Sequence, residues 1–574
     1  MNYLRHFKSL EICFKQKLLY SLLALLVLFF IGIPNSLAQP SSPSDQEELH
    51  RRTRQEAEER RSRVQSQDTF LQPKVEQVED LDLPIEDIRF TIHTLQLQGE
   101  KVDQFSWAQN MLQQYAGKKI GKEGINILVK RLTNALISRG YTTTRIGIPE
   151  QDLSTGTLKL TLIPGIIRDI RFSTPGTRAN WITAFPTRPG KILNLRDLEQ
   201  GLEQIKRVPS QDAQMQISPG DKPGESDVII TITSSTPFRM AFSLDDSGTK
   251  ATGRIQASTS VSLDNLFGIN DLFYVSFNND AEQKGDLYGT RGNSYQYSFP
   301  YGYWTVTLAG SSYDYHQTVQ GIEQPMVFSG NSESKEFCIQ RLIHRDQKSK
   351  TSLQFRIIKQ QSRNYIEDTE LPGQRRNITA DEVSFIHRQY YGKTVVDINL
   401  AHRWGVPWFH AQTEPENQGP DAQTTRYKLW TLDATLTTPM QVGSLAGKYS
   451  CNLRAQTTTD LLYNADYFSI GNRYTVRGFD GEQSLAAENG WFIRNEISVP
   501  ITSSKEAYIG LDYGQVSGSG TQWLLGKELA GAALGIRGKE AGIYYDIFTS
   551  WPVYKPKGYQ TSPYSLGFQL TYQI

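Results

Sequence analysis

From Pro237 to Ile574 the chain carries no helical periodicity. Some 338 residues run instead as alternating apolar and polar segments joined by turns rich in Gly, Asn, Asp and Ser. Alternation puts every second side chain on the same face of a strand. In LWTLDATL, Trp430, Leu432, Ala434 and Leu436 share one face, and Thr431, Asp433 and Thr435 share the other. LFYVSF sets Phe273, Val275 and Phe277 on one face, and the final SLGFQLTYQI does the same with Phe568, Leu570, Tyr572 and Ile574. Strands of about ten residues plus turns, at roughly 20 residues per repeat, give about 16 strands. The residues present are 28 Tyr, 25 Phe and 45 Gly. A stack of soluble sandwiches or a propeller could share the pattern. The aromatic load and the apolar alternation to the last residue favour a transmembrane barrel, which hides its apolar residues at every second position.

The N-terminus supports that compartment. Arg5, Lys8, Lys15 and Lys17 precede or flank the start of an apolar stretch, Leu18–Ile33, and Ser36-Leu37-Ala38 offers a small-x-small cleavage site before Gln39. We read residues 1–38 as a secretory signal; a membrane anchor is the alternative. Without them the formal charge moves from +1 to −2. A near-neutral chain makes no electrostatic case for nucleic acid. Of three cysteines, Cys13 lies within the signal, and Cys338 and Cys451 are too few for a disulfide framework or a metal site.

Residues 39–67 form a separate charged region. Asp45–Arg63 contains six acids and six arginines. Glu47/Arg51, Glu48/Arg52, Glu56/Arg60 and Glu59/Arg63 are four apart with the acid first, the order that favours a helix. A helix polar on all faces cannot bury a stripe in a core. It is either a solvated linker or a helix inside a polar cavity. An acidic linker follows over 68–87.

Two α+β units come next, over 88–165 and 166–235. In the first, Phe90–Gly99 reads as a strand, Ala108–Tyr115 and Ile125–Arg139 as helices, and Thr142–Ile148 and Thr157–Ile163 as strands. The glycine of Ser138–Tyr141 ends the second helix. In the second unit, Ile167–Phe172, Ala213–Ser218 and Asp227–Thr233 read as strands, and Leu195–Val208 as a helix with Leu195, Leu198, Leu202 and Ile205 on one stripe. The repeated βααββ-like order is an internal repeat. Candidate sheet edges for adding an extended peptide are Ile167–Phe172 and Asp227–Thr233.

No H-E-x-x-H, G-x-x-x-x-G-K-[ST] or G-x-S-x-G occurs, and the eight histidines are scattered. The expectation is a protein that is not an enzyme and holds no metal or cofactor. One charge stands out. Arg477 lies in NRYTVRGFDG (Asn472–Gly481), upstream of the strand Ala507–Val516. In that strand Ile509, Leu511 and Tyr513 face lipid, and Gly510, Asp512 and Gly514 face the lumen. The glycines leave room for another segment. Arg477 is either an extracellular arginine in water or, if its loop folds inward, the partner of Asp512.

Val476-Arg477-Gly478-Phe479 followed by Gly510-Leu511-Asp512-Tyr513-Gly514 resembles the motif pair of the Omp85 superfamily. Arg207–Ile230, Asp245–Phe273 and Tyr297–Trp304 resemble two-partner secretion transporters, the TpsB family of hemolysin and adhesin secretion proteins. The resemblance covers nearly the whole chain after the signal. It implies a mostly β protein: a 16-stranded transmembrane barrel over 237–574, preceded by two POTRA domains and an N-terminal plug helix. Glu47, Arg51, Arg52, Glu56, Arg60 and Arg63 would belong to the plug. The loop bearing Arg477 would fold inward onto Asp512. It further implies an outer-membrane pore with its POTRA domains in the periplasm. That pore would export a large unfolded exoprotein (hemolysin, adhesin or contact-dependent inhibition toxin) without ATP, after insertion by the barrel-assembly machinery. An assembly factor for other barrels is the runner-up. The chain departs from the family at Ile88-Arg89-Phe90, where Pro-Cys-Phe is frequent, and at Ile574, where Phe is frequent.

Overall fold

The computed structural model describes residues 68–71, 83–285, 287–320, 324–414, 419 and 422–574. The expected signal, and the charged region with Glu47, Arg51, Arg52, Glu56, Arg60 and Arg63, lie outside the described residues.

Leucine spacing builds the first α+β unit. Leu128, Leu132 and Leu136 of helix Lys122–Ser138 are fully buried against Leu95, Leu158 and Leu160 of the sheet. That sheet has Thr157–Ile163 at its centre, parallel to Thr94–Gln98 and antiparallel to Arg145–Gly147. Helix Ser106–Gln113 packs beside it. The run read as one strand, Phe90–Gly99, is broken at His93. Phe90–Ile92 pairs with Lys118–Ile120, while His93 and Thr94 both donate to the Gly156 carbonyl at 2.8 and 3.2 Å. The long helix stops as its glycine requires. Gly140 sits at φ +94°, its N–H bonds Ile137 O, and Tyr141 N–H bonds Leu136 O.

The second unit corrects one sequence expectation. Glu225–Ser234 is the central strand, parallel to Ile166–Phe172 and antiparallel to Gln211–Pro219. Asp227–Thr233 is therefore no edge, because both of its sides are already hydrogen-bonded. The edges are Ile166–Phe172, whose start is bridged by Ile192, and Gln211–Pro219. A parallel crossover puts the last strand in the middle of the sheet, so sequence order is not sheet order here. Helix Leu195–Lys206 buries Leu198, Leu202 and Ile205 in this unit's core. Its polar face is buried as well, including Arg196, Glu199, Gln200 and Gln204. That second burial is against the barrel: Gln200 and Gln204 both donate to Gly302 O in the turn between two barrel strands. Asn265 and Asn270 of another turn bond Arg178 O and Asn180 O of the same unit at 3.0 and 2.6 Å.

Sixteen long antiparallel strands close the barrel, with the two-residue Thr369–Glu370 as a side pairing. Closure joins Phe238–Asp245 to Ser565–Gln573, and Ile574 exchanges both backbone bonds with Met240, at 3.1 and 2.9 Å. A closed sheet leaves no unpaired edge, which is what lets strands cross a bilayer. The alternation sorts as the pattern dictates. Phe277, Trp430, Ile509, Leu511 and Tyr572 point outward, while Tyr274, Ser276, Thr431 and Asp512 are buried inside. No helix among the described residues is long and apolar enough to cross a membrane.

Leu511 lies near the middle of strand Lys505–Ser517 on the outer face. Leu511→Arg should cost about 2–4 kcal/mol of barrel stability. Reversible unfolding from lipid vesicles measures this; a change near zero would mean that this face does not meet hydrocarbon.

Candidate functional site: a loop held inside the barrel

Strands Leu445–Thr458 and Asn489–Thr502 are neighbours in the barrel, yet 30 residues separate them. That connection turns inward. A small hairpin, Phe468–Ile470 with Leu485–Ala487, organises it. Its apolar residues, among them Phe468, Ile470, Val476 and Phe479, pack with Phe492, Val516 and Leu529 of the wall and with Tyr559. The Phe479 and Tyr559 rings meet edge to face with centroids 5.6 Å apart. The loop thus carries a hydrophobic core of its own into a polar lumen.

Arg477 stands at the end of this wedge and is 4% exposed; Asp512 is 2% exposed. Arg477 Nε donates to Asp512 Oδ2 at 2.7 Å and Nη2 to Oδ1 at 2.8 Å, the two-pronged geometry that a guanidinium and a carboxylate favour. The backbone N–H of Arg477 donates to the same Oδ2 at 3.0 Å, so position and side chain are read together. Nη1 donates to Glu496 Oε2 at 2.7 Å, and Nη2 also reaches Asn495 O at 3.2 Å. Glu496 in turn pairs with Arg537 at 2.8 Å, and Arg537 bonds Glu506. Arg494 lies 3.9 Å from Asp512 and donates to Tyr474 O of the loop at 2.8 Å. Three cations and three carboxylates close the network.

Close approach is bought with glycine. A Cβ on Gly510 would lie 2.2 Å from Arg477 Nη2, and one on Gly514 would lie 2.8 Å from Val476 Cγ2. On the adjacent strand, Gly531 faces Asp512 in register, and a Cβ there would sit 1.6 Å from Arg477 O. Gly478 takes φ +109°, with the Trp551 carbonyl 2.4 Å from where its Cβ would be. Of the two sequence readings of Arg477, the geometry is the inward one.

Sequence reasoning named Val476, Arg477, Gly478, Phe479, Gly510, Asp512 and Gly514, and these seven converge. It missed Glu496, Arg494, Arg537 and Gly531. A signal existed: Phe492, Arg494, Glu496 and Ser498 alternate in GWFIRNEISVP, which sets two charges on the lumen face. The loop is also tied at its outer end. Arg473 pairs with Asp246 at 2.6 Å, and Asp480 accepts from Ser562 N and Oγ at 2.9 and 2.8 Å.

Beside the loop lies a lumen cavity of about 1270 Å³. Its far wall carries Arg403–Glu382 at 2.7 Å and Arg454–Asp433 at 3.0 Å. Among the described residues no group of His, Cys, Asp and Glu could hold a metal ion.

The model of the haemolysin secretion/activation protein family ShlB/FhaC/HecB matches residues 224–538. A ShlB-type POTRA domain matches 90–165, and a second POTRA domain matches 166–219. The outer membrane transporter CdiB-2 of Burkholderia pseudomallei is 44% identical over 82% of each chain. The hemolysin transporter protein ShlB of Serratia marcescens is 29% identical over 66% of this chain and 67% of its own. The solved structure of CdiB from Escherichia coli superposes with a TM-score of 0.82 at 25% identity, covering 93% of this chain and all of that one.

Removing Asp512 leaves a buried guanidinium with one carboxylate fewer. Asp512→Ala should loosen the loop by about 3–5 kcal/mol while the barrel stays inserted. Gly510→Ala should do the same by pushing the guanidinium out. Protease added outside intact cells reads the change as new cleavage within residues 459–488; an uncut loop in both variants would show that the apolar wedge holds without the charges.

Proposed function

Because this chain belongs to the haemolysin secretion/activation protein family ShlB/FhaC/HecB, and is thus an outer-membrane transporter of two-partner secretion, we propose that Arg477 holds the channel-shaping loop for export of one large, unfolded partner protein. The observation that carries this is the buried Arg477–Asp512–Glu496 network inside a closed barrel.

In this reading the POTRA domains stand in the periplasm and take hold of the partner as an extended strand. Gln211–Pro219 is the open edge best placed for it, since its outer side pairs with no described strand. Main-chain hydrogen bonds suit the task, because they grip an extended chain without demanding one sequence. Two arginines of the wall, Arg403 and Arg454, are paired with Glu382 and Asp433, which reduces their pull on a passing chain. No covalent step is involved. The drive is folding of the partner outside, which makes backsliding unfavourable. Hemolysin, adhesin and contact-dependent inhibition toxin are the cargo classes this layout serves. The barrel-assembly machinery would insert the pore, meeting Ile574 at the closing strand.

Wild type and Arg477→Ala should be expressed with the N-terminal part of a candidate exoprotein, and the medium assayed. Export by the wild type, and its loss in a variant whose heat-modifiable gel mobility is intact, is the expected result. Normal export by the variant would remove the proposed role of the arginine. Loss of other outer-membrane proteins on deletion of the chain would favour the assembly-factor reading.

A further inference from the structure

Residues 68–71, Asp-Thr-Phe-Leu, form no helix or strand, yet they are held from two sides. On one side is helix Leu195–Lys206 of the second POTRA domain. On the other is the rim of the barrel at the end that carries the POTRA domains. Thr69 N–H donates to Glu203 Oε1 at 2.6 Å, and Leu71 N–H donates to Glu199 Oε1 at 2.7 Å. Arg345 Nη2 returns a bond to Thr69 O at 2.5 Å. Donors at alternate residues and an acceptor between them are the main-chain pattern of a bound extended peptide.

The side chains add a carboxylate and a ring. Asp68 accepts from Lys350 Nζ at 2.6 Å and Arg388 Nη1 at 3.1 Å, and it bonds the Tyr390 hydroxyl. Phe70 meets the Tyr390 ring edge to face at 5.1 Å, under the Arg345 guanidinium. The pocket is built of buried groups: the Arg345 side chain is 2% exposed and that of Glu199 0%. Burial alone would push the Asp68 carboxyl up, but Lys350, Tyr390 and Arg388 overcome it and hold it at about 2. Asp68 is therefore held ionised at neutral pH.

The pocket is incomplete without its occupant. Apart from Asp68, the carboxylates Glu199, Glu203 and Asp397 face the cations Arg196, Arg345, Lys350 and Arg388. Among the described residues, Asp68 pairs with two of these cations, Lys350 and Arg388. Glu203 and Glu199 would each lose a backbone donor. Arg196 Nη2, also buried here, has no acceptor among the described residues. Among the described residues, none reads the Thr69 or Leu71 side chain by hydrogen bond. Its demand is for extended main chain, one carboxylate and one aromatic.

We propose that this junction is a peptide-binding site, filled in cis by residues 68–71, and that its ligand class is an extended segment bearing one carboxylate. Resting on the export reading above, an extended stretch of the partner protein is the external ligand that would compete for it. Displacement would release residues 68–71 from the barrel rim. It would do so at the interface between the POTRA domain and the pore, where an arriving cargo chain must pass.

The test uses the full chain purified in detergent and a fluorescent peptide copying residues 66–73. In the wild type the cis segment occupies the site. If the site stands free less than about a tenth of the time, the peptide's apparent affinity is weakened at least about tenfold. Asp68→Lys in the protein places two ammonium groups together and ejects the segment. The peptide should then bind at least about tenfold more tightly than to wild type. Adding Lys350→Glu should abolish that gain, as should replacing the peptide's own Asp68→Asn. Asp68→Ala is the gentler second variant, should Asp68→Lys disturb insertion. Equal binding to wild type and both variants, or binding indifferent to Lys350→Glu, would overturn the site. The assay contains no cargo, so a failure of the export reading would appear in the secretion assay and leave this result standing.

Discussion

A guanidinium buried in the wall of a barrel is stable only if its neighbours are arranged for it. Arg477 satisfies that constraint with Asp512, Glu496 and one backbone carbonyl. The rest of the lumen follows from it. Glycines at 510 and 531 let the guanidinium and backbone of Arg477 reach the wall, and Gly514 makes room for Val476 Cγ2. Glu496 needs Arg537, and Arg537 needs Glu506, so that no charge is left alone. Such a network adds little net stability against an apolar replacement of the same shape, but it fixes one position of the loop sharply.

The same logic recurs at the other end of the barrel. Helix Leu195–Lys206 has no solvent face. One side makes the core of its own domain, and the other presents Glu199 and Glu203 to Arg345 and Lys350 of the barrel. Turns containing Gly302 and Asn270 complete the seat. The second POTRA domain is therefore bonded to the pore at these two turns and at Arg345 and Lys350, and what happens at its surface reaches the rim through side chains that already touch. Asp68 sits where these two bodies and the N-terminal segment meet.

Much of this was legible in the sequence because it rests on period-two and period-3.6 patterns. The barrel, its strand number, the helix stripes and the glycine stop at Gly140 are local signals, and local signals survive without coordinates. For Arg477 and Asp512 the residues left two readings open: glycines on both sides of a lumen-facing carboxylate allow an approach, and only the resemblance to the Omp85 motif pair implied that the loop folds inward. Pairings that depend on three-dimensional order were not legible. Asp227–Thr233 looked like an edge because it comes last, yet the parallel crossover buries it. Glu496 shows in the sequence only as one of two alternating charges in GWFIRNEISVP, and nothing local names its partners. The Asp68–Leu71 contacts span more than 120 residues to Glu199 and more than 270 to Arg345, and nothing in the tetrapeptide marks it.

The central claim is that Arg477 matters because it holds the loop in place, not because it offers a charge to the passing chain. Val476 and Gly514 are close enough for a covalent substitute, with Val476 Cγ2 2.8 Å from a Cβ on Gly514. In a background with Cys338 and Cys451 replaced by serine, Val476→Cys and Gly514→Cys should be added to Arg477→Ala. Secretion is then compared with the disulfide formed and reduced. Recovery of export in the oxidised protein and its loss on reduction is what a holding role requires. No recovery with the disulfide in place would contradict it, and would make the arginine's charge itself the functional element.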